Sequence, residues 1–280
     1  MSSESLPPEI WEVIVKFSAF SSLRQAATLA RVCRAFKLWA HPILHRVLSY
    51  YEESGGWPGK RPEMHYLREN GCHIRSLLWG VGSDLALLAS VLEHCPQLEN
   101  LAVWIYVSGF DLPSIRPALS RLRLRELSIN PFALFNHERF TAVEARDPMF
   151  STITHFDVIN AHGILEWENL EGLANISNLT HVSLQYSVTQ RAKNGILQHC
   201  KNLQTLIVMQ PMAFDWGLGS SIVELVPPDP PSDDIRLVRP PVRRVREWEM
   251  GAVGQPDSWQ LADEVIADRR RLLLSSSGEQ

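Results

Sequence analysis

The chain has 280 residues, 45% hydrophobic and 21% charged, with a net charge of −4. That length allows a sizeable buried core, and that charge supplies no global field to draw the chain to nucleic acid or to an anionic membrane. The four cysteines, Cys33, Cys72, Cys95 and Cys200, form no Cys-x-x-Cys pair and read as reduced thiols of an intracellular protein, cytoplasmic or nuclear. No basic segment leads into a long apolar run at the start, so no signal peptide is expected. The longest uninterrupted apolar run, Leu101 to Val107, falls far short of the about 20 residues that cross a bilayer.

The first predicted element lies in "LPPEIWEVIVKFSAF", residues 6–20. Pro7 and Pro8 suit the first turn of a helix, where a missing N–H loses little. Glu9 then sits where the helix dipole favours a negative charge. Ile10, Val13, Ile14 and Phe17 follow at helical spacing on one face. Ser22-Leu-Arg-Gln25 has the capping-box pattern and starts a second helix carrying Leu29, Val32, Cys33 and Phe36. Pro42 interrupts the pattern, and Ile43, Leu44, Val47 and Leu48 begin another apolar stripe. Three such short helices make a small core and need a partner or the rest of the chain for stability.

Taken together, "LPPEIWEVI", "LARVCRAF" and "HPILHRV" resemble an F-box. Leu6, Pro7, Glu9, Ile10, Ile14, Leu29, Val32, Cys33, Arg34, Phe36 and Leu44 fall on the positions of that family's pattern. The resemblance covers about residues 5–48. It implies a three-helix domain over 1–48 that docks on the Skp adaptor of a cullin–RING ubiquitin ligase. The residues it assigns to that contact are Leu6, Pro7, Pro8, Glu9, Ile10, Ile14, Leu29, Val32, Cys33, Phe36, Ile43 and Leu44.

Residues 49–72, with "SGGWPGKRP", read as a linker. From 73 to 210 a pattern L-x-x-L-x-L recurs: Ile74-Leu77-Trp79, Leu98-Leu101-Val103, Leu124-Leu127-Ile129, Ile153-Phe156-Val158, Leu179-Val182-Leu184 and Leu203-Leu206-Val208. The units start at 74, 98, 124, 153, 179 and 203, at intervals of 24, 26, 29, 26 and 24. Such periods belong to repeat architectures. Positions four and six alternate as in a strand and point into one core. The pattern is similar to leucine-rich repeats, although their consensus asparagine is missing. Leu92, Leu173 and Leu197 each fall six residues before the next start, as a return helix requires, and Ser83 is the expected cap of the first. The predicted fold class is α/β: a three-helix F-box, then a short solenoid with parallel strands inside and helices outside.

After residue 210 the pattern decays into a proline-rich, charged stretch. Ile235, Leu237 and Val238 can add one more strand. Residues 258–273 read as a closing helix, with Ser258 as N-cap and Leu261, Val265 and Leu272 on its apolar face, capping the last repeat.

Motifs for chemistry are missing. "GVGSD" and "GLGSS" lack what a phosphate loop needs, and neither G-x-S-x-G nor H-E-x-x-H occurs. His94-Cys95 and His199-Cys200 share one repeat register, which reads as a buried small thiol rather than a metal site. The arginines between 236 and 246, with Asp229, Asp233 and Asp234 close by, read as a solvated loop. The chain is therefore expected to be no enzyme and to need no cofactor. The expected role is a substrate receptor: the helices take the adaptor and the solenoid takes a protein target. The alternative is a stand-alone repeat scaffold whose helices merely cap the solenoid. In the repeat register, positions three, five and seven point away from the core. Asn100, Trp104, Glu126, His155, Asp157, His181 and Gln185 are accordingly the expected target-binding residues of the concave face.

Overall fold

A computed structural model describes residues 6–51, 62–80, 84–105, 112–159, 164–184, 188–209, 234–238 and 245–277. The chain opens with α1 (Pro8–Ser21), α2 (Leu23–Leu29) and α3 (Arg34–Leu44). Pro7 is the N-cap of α1 and Pro8 lies in its first turn, as the sequence predicts. Ser22 Oγ accepts the Gln25 backbone N–H at 3.1 Å and starts α2. Gln25 turns its own amide to Ser18 Oγ, so only half of the capping box forms. Pro42 does not end a helix: it lies within α3, where its lost backbone bond falls in the last turn.

The apolar residues beyond α3 are not a further helix. Val47–Tyr50 is a strand, β1. The domain boundary expected at residue 48 therefore falls inside it. The expected linker contains α4 (Met64–Asn70) and a 3-10 turn at Gly71–His73. Six strands follow at the predicted places: β2 (Ser76–Trp79), β3 (Asn100–Val103), β4 (Glu126–Ile129), β5 (His155–Val158), β6 (His181–Leu184) and β7 (Thr205–Val208). The last strand, β8 (Leu237–Val238), is the one that Leu237 and Val238 suggested. All eight form one sheet in sequential order, and every pairing is parallel.

The return segments pack on one face of this sheet. Two are regular helices, α5 (Leu85–His94) and α9 (Gln190–His199), and between them lie shorter ones, α6 (Arg116–Leu119), α7 (Pro131–Phe135) and α8 (Trp167–Leu170). Asp84 caps α5 by accepting the Leu87 N–H at 2.8 Å; Ser83, the expected cap, lies outside the described residues. The predicted inward positions form the main core, from Ile74, Leu77 and Trp79 through to Leu203, Leu206 and Val208. The widest interval of the repeat, 124 to 153, has its own filling. Phe140 and Phe150 pack against Phe156 of β5, with ring centroids 6.0 and 5.6 Å away.

The C-terminal part contains α10 (Val245–Ala252), which the sequence reading did not anticipate, and α11 (Ser258–Ser277). Asp257, not Ser258, caps α11, accepting the N–H groups of Trp259 and Gln260 at 2.9 and 3.0 Å. Leu261, Val265 and Leu272, expected to be its buried face, are exposed; Trp259, Ala262 and Ile266 are buried instead. These three meet Ile207, Met209 and Val238, which point away from the main core. The helix thus lies on the second face of the sheet rather than closing the end of the first. Among the described residues, no helix is long and apolar enough to cross a membrane.

Three imidazoles mark the junction between the opening helices and the sheet unit. His41 lies 4.4 Å from His45 and 5.7 Å from His73, ring to ring, and His45 Nδ1 is 3.0 Å from the Tyr66 hydroxyl. Burial, then the neighbouring imidazoles, hold His41 and His45 below the ordinary 6.5, with Lys37 adding to the effect at His41 and Glu69 opposing it. The unfolded chain therefore takes these protons first, so their contribution is complete above 6.5 and is lost as pH falls below it. Thermal melts should show the protein losing Tm on acidification from about pH 7.5 to about 5.5, and losing less of it in the His41→Asn/His45→Gln variant. A drop equal in both proteins contradicts this account. Separately, Phe156→Ala removes the strand member of the aromatic cluster, and urea denaturation should record a loss of about 3–5 kcal/mol.

Candidate functional site

Two surfaces stand out, and they differ in kind. The first is on the opening helices. Their shared core is small: Ala19, Ala26 and Ala40 with Ile43, and Leu29, Ala30 and Leu44 packed against them. Alanine lets helices approach closely but removes little apolar area from water. The large side chains point outward. Leu6, Ile10, Trp11, Ile14, Phe20, Leu23 and Leu38 are exposed, and Phe17, Val13 and Val32 reach 82%, 64% and 62% exposure. Exposed large apolar side chains in this number mark an interaction site. Each such side chain gains about 1.5–3 kcal/mol when a partner covers it fully.

Most residues that carry the F-box resemblance lie on this surface. Leu6, Pro7, Pro8, Glu9, Ile10, Ile14, Val32 and Cys33 are exposed, while Leu29, Phe36 and Leu44 are half-buried. Phe36 stands between Trp11 and Trp39, at 5.9 and 5.7 Å. Ile43 is a correction to the expected contact set. It is buried in the alanine core, because its position on α3 faces the other two helices.

The second surface is the sheet face opposite the main core. Its side chains are lined up by the register. Val47, Ser76, Asn100, Glu126, His155, His181 and Thr205 form one row across seven strands, and Ser49, Leu78, Ala102, Ser128, Asp157, Ser183, Ile207 and Val238 form the next. Neighbouring parallel strands run about 4.8 Å apart, so equal positions touch. His155 and His181 accordingly stack with ring centroids 4.0 Å apart and planes 10° from parallel.

The expectation that this face is open is not met. Trp104 is 5% exposed and Asp157 1%; His181 is buried as well, and Asn100, Glu126 and His155 are half-buried. Gln185 lies outside the described residues. The cover is α10 and α11. Trp248 and Ala252 close over Leu78, Ala102, Trp104 and Ile159. Trp104 stands edge-on to Tyr51 at 6.4 Å, and its indole N–H donates to Ser128 Oγ at 2.8 Å, which in turn donates to Asp157 Oδ2 at 2.5 Å. Asn100 Nδ2 donates to Glu126 Oε2 at 2.8 Å. These residues are thus held in a network on the sheet.

One residue of α11 reaches two strands. Asp263 accepts the Thr205 hydroxyl at 2.7 Å and lies 3.1 Å from His181 Nε2. On the other side of the ring, Nδ1 lies 2.8 Å from the Thr180 hydroxyl, which also reaches the Thr154 carbonyl at 3.1 Å. The Trp259 ring stands nearly perpendicular to both imidazoles, 5.2 Å from His155 and 5.8 Å from His181. Where the two helices meet the sheet, a small cleft partly open to solvent is bordered by Glu126, Asp157, Glu247, Asp257, Trp248 and Trp259. Trp248, Trp259 and Asp263 escaped the sequence reading. The spacing Trp259, Ala262, Ile266 was there to be found, but three leucine-class residues on the other side of the same helix outweighed it.

The His-Cys pairs fill equivalent places. Cys95 and Cys200 follow α5 and α9 as their C-caps and are buried. Burial pushes both thiols up to about 12. His94 Nδ1 bonds the Ser90 carbonyl at 2.8 Å, and His199 stacks on Trp167 at 5.1 Å. Arg236 is tied to Asp234 and to the Leu197 carbonyl, which makes it part of the packing around β8. No protein-family model matches the chain, and no curated protein matches it significantly.

Thiol labelling checks this arrangement. At about pH 8 an aromatic disulfide reagent should react rapidly with Cys33 and Cys72, which are exposed, and with Cys95 and Cys200 only after denaturation. Rapid reaction of all four in the native protein would contradict it.

Proposed function

We propose that the chain is the substrate receptor of an SCF-type cullin–RING ubiquitin ligase, an F-box protein with a degenerate leucine-rich-repeat solenoid. The opening helices dock on the Skp adaptor and the repeat unit holds a protein target. Ubiquitin transfer belongs to partner subunits, and this chain contributes proximity. The observation that carries the reading is the outward apolar surface of α1–α3. Leu6, Ile10, Ile14 and Val32, which match the F-box pattern, are large, apolar and exposed. A stand-alone scaffold that used these helices as a cap would turn that surface against the repeats, so the exposure speaks against the alternative. The sequential parallel sheet, with return helices on one face, supports the solenoid part of the reading.

Replacing Leu6, Pro7 and Ile10 with alanine should abolish co-purification with the Skp adaptor. The cooperative unfolding of the sheet unit should be unchanged, because none of the three is part of its core. Undiminished adaptor binding by a folded triple variant would overturn the assignment.

A further inference from the structure

The two faces of the sheet differ in composition more than their burial explains. On the core face every strand's inward positions are apolar, from Leu77 and Trp79 to Leu206 and Val208. On the other face Ser76, Ser128, Asp157, His181, Ser183 and Thr205 are buried too. A permanent second core favours apolar side chains, because each polar group placed there needs a partner. The Ser183 hydroxyl, fully buried, makes no hydrogen bond among the described residues. Beside apolar residues such as Leu78, Ala102, Ile207 and Val238, this face carries a set of polar groups of the kind that meets water or a ligand, yet α10 and α11 lie on it.

The cover binds as a ligand would. Its apolar contacts form two small clusters apart from the main core. In α11 the pattern Trp259-x-x-Ala262-Asp263-x-x-Ile266 combines three devices on one side of a helix. Trp259 is an aromatic anchor on the stacked imidazoles, Ala262 lets the helix approach the sheet, and Asp263 takes the Thr205 hydroxyl and faces His181. Anchors of this type characterise helix-in-groove recognition. Beyond the sheet contact α11 continues with Leu272, Leu273 and Leu274 exposed.

We propose that α10 and α11 are an intramolecular pseudo-ligand. They occupy the face that selects the target, and the target is a protein segment that folds as an amphipathic helix with the pattern Trp-x-x-small-acid-x-x-aliphatic. Binding of that segment displaces α11 from β6–β8. The proposal rests on the reading that the repeat unit takes a protein target. Adaptor docking uses α1–α3, a separate surface, and is measured separately.

The probe is a fluorescent synthetic peptide of residues 245–277, titrated by anisotropy against the full chain and against a full-chain Trp259→Ala/Asp263→Lys variant. In the variant the internal competitor is weakened, so the peptide should bind it at least about tenfold more tightly than it binds the unaltered protein. A peptide carrying the same two substitutions should not bind either protein. Hydrogen exchange on the unaltered chain gives an independent reading. The amides of residues 258–270 should exchange at least about 100-fold faster than those of β4–β6, because the helix opens without the sheet. Peptide binding no tighter to the variant, equal protection of α11 and the sheet, or loss of cooperative unfolding in the variant overturns the proposal. Each of these would make α11 an integral layer of the fold. Adaptor capture, assayed on the same two proteins, should be unchanged; its absence from both bears on the adaptor reading and leaves the peptide result standing.

Discussion

The structure depends on one row of side chains. Leu48, Leu77, Leu101, Leu127, Phe156, Val182, Leu206 and Leu237 are paired in register from β1 to β8. Most of the strands are only four residues long, too short to hold a sheet by backbone bonds alone. What fixes them is that each inward side chain must lie on its counterpart in the next strand. A slip of one residue would turn the whole apolar set outward. Because strands and core rows advance together, a longer connection between two of them is tolerated wherever side chains fill it. Phe140 and Phe150 do this beside Phe156.

The same register that aligns the core also aligns the second face, and there the consequence is chemical. Equal positions on neighbouring strands put His155 against His181 and run Ser128, Asp157 and Ser183 in one line. A polar line on a sheet is inexpensive in water. Under a cover it demands partners, which Asp263, Ser128 and Thr180 supply at some positions and none of the described residues supplies at Ser183. The opening helices show the reverse condition. Their interior is mostly alanine, and the large apolar side chains are outside. One surface is apolar and uncovered, the other mixes polar with apolar side chains and is covered. Each is the arrangement of a part that exchanges contacts with something else.

The imidazole cluster at His41, His45 and His73 ties these two parts together. It sits where α3 gives way to β1 and meets Tyr66 of α4. The opening helices therefore reach the sheet unit partly through titratable rings, and partly through the Arg46 guanidinium, which lies 5.4 Å from the Phe20 ring centre. Contacts of this kind are weaker and more sensitive to conditions than a shared apolar core.

The inward positions of six strands, the N-terminus of α1, the start of α2 and the last strand at Leu237 and Val238 are legible in the sequence. These features are local: they rest on period-two alternation, on proline geometry and on a serine cap, all written within a few residues. The sequence also marked the outward apolar residues of α1, since a helical stripe of large side chains needs no tertiary information to be noticed. The tertiary structure decided the rest. That Val47 and Leu48 extend a sheet rather than a helix depends on β2 being beside them. That Ile43 is buried while Val32 is exposed depends on how three helices lean on alanines. That Trp104 and Asp157 are covered depends on residues more than 80 positions away, Trp248 and Trp259 among them. α11 carries two apolar stripes, and the sequence favours the one with more leucine. The sheet face selects the other, because only the side with Trp259, Ala262 and Asp263 offers a flat ring, a small residue and an acceptor where the strands present imidazoles and a hydroxyl.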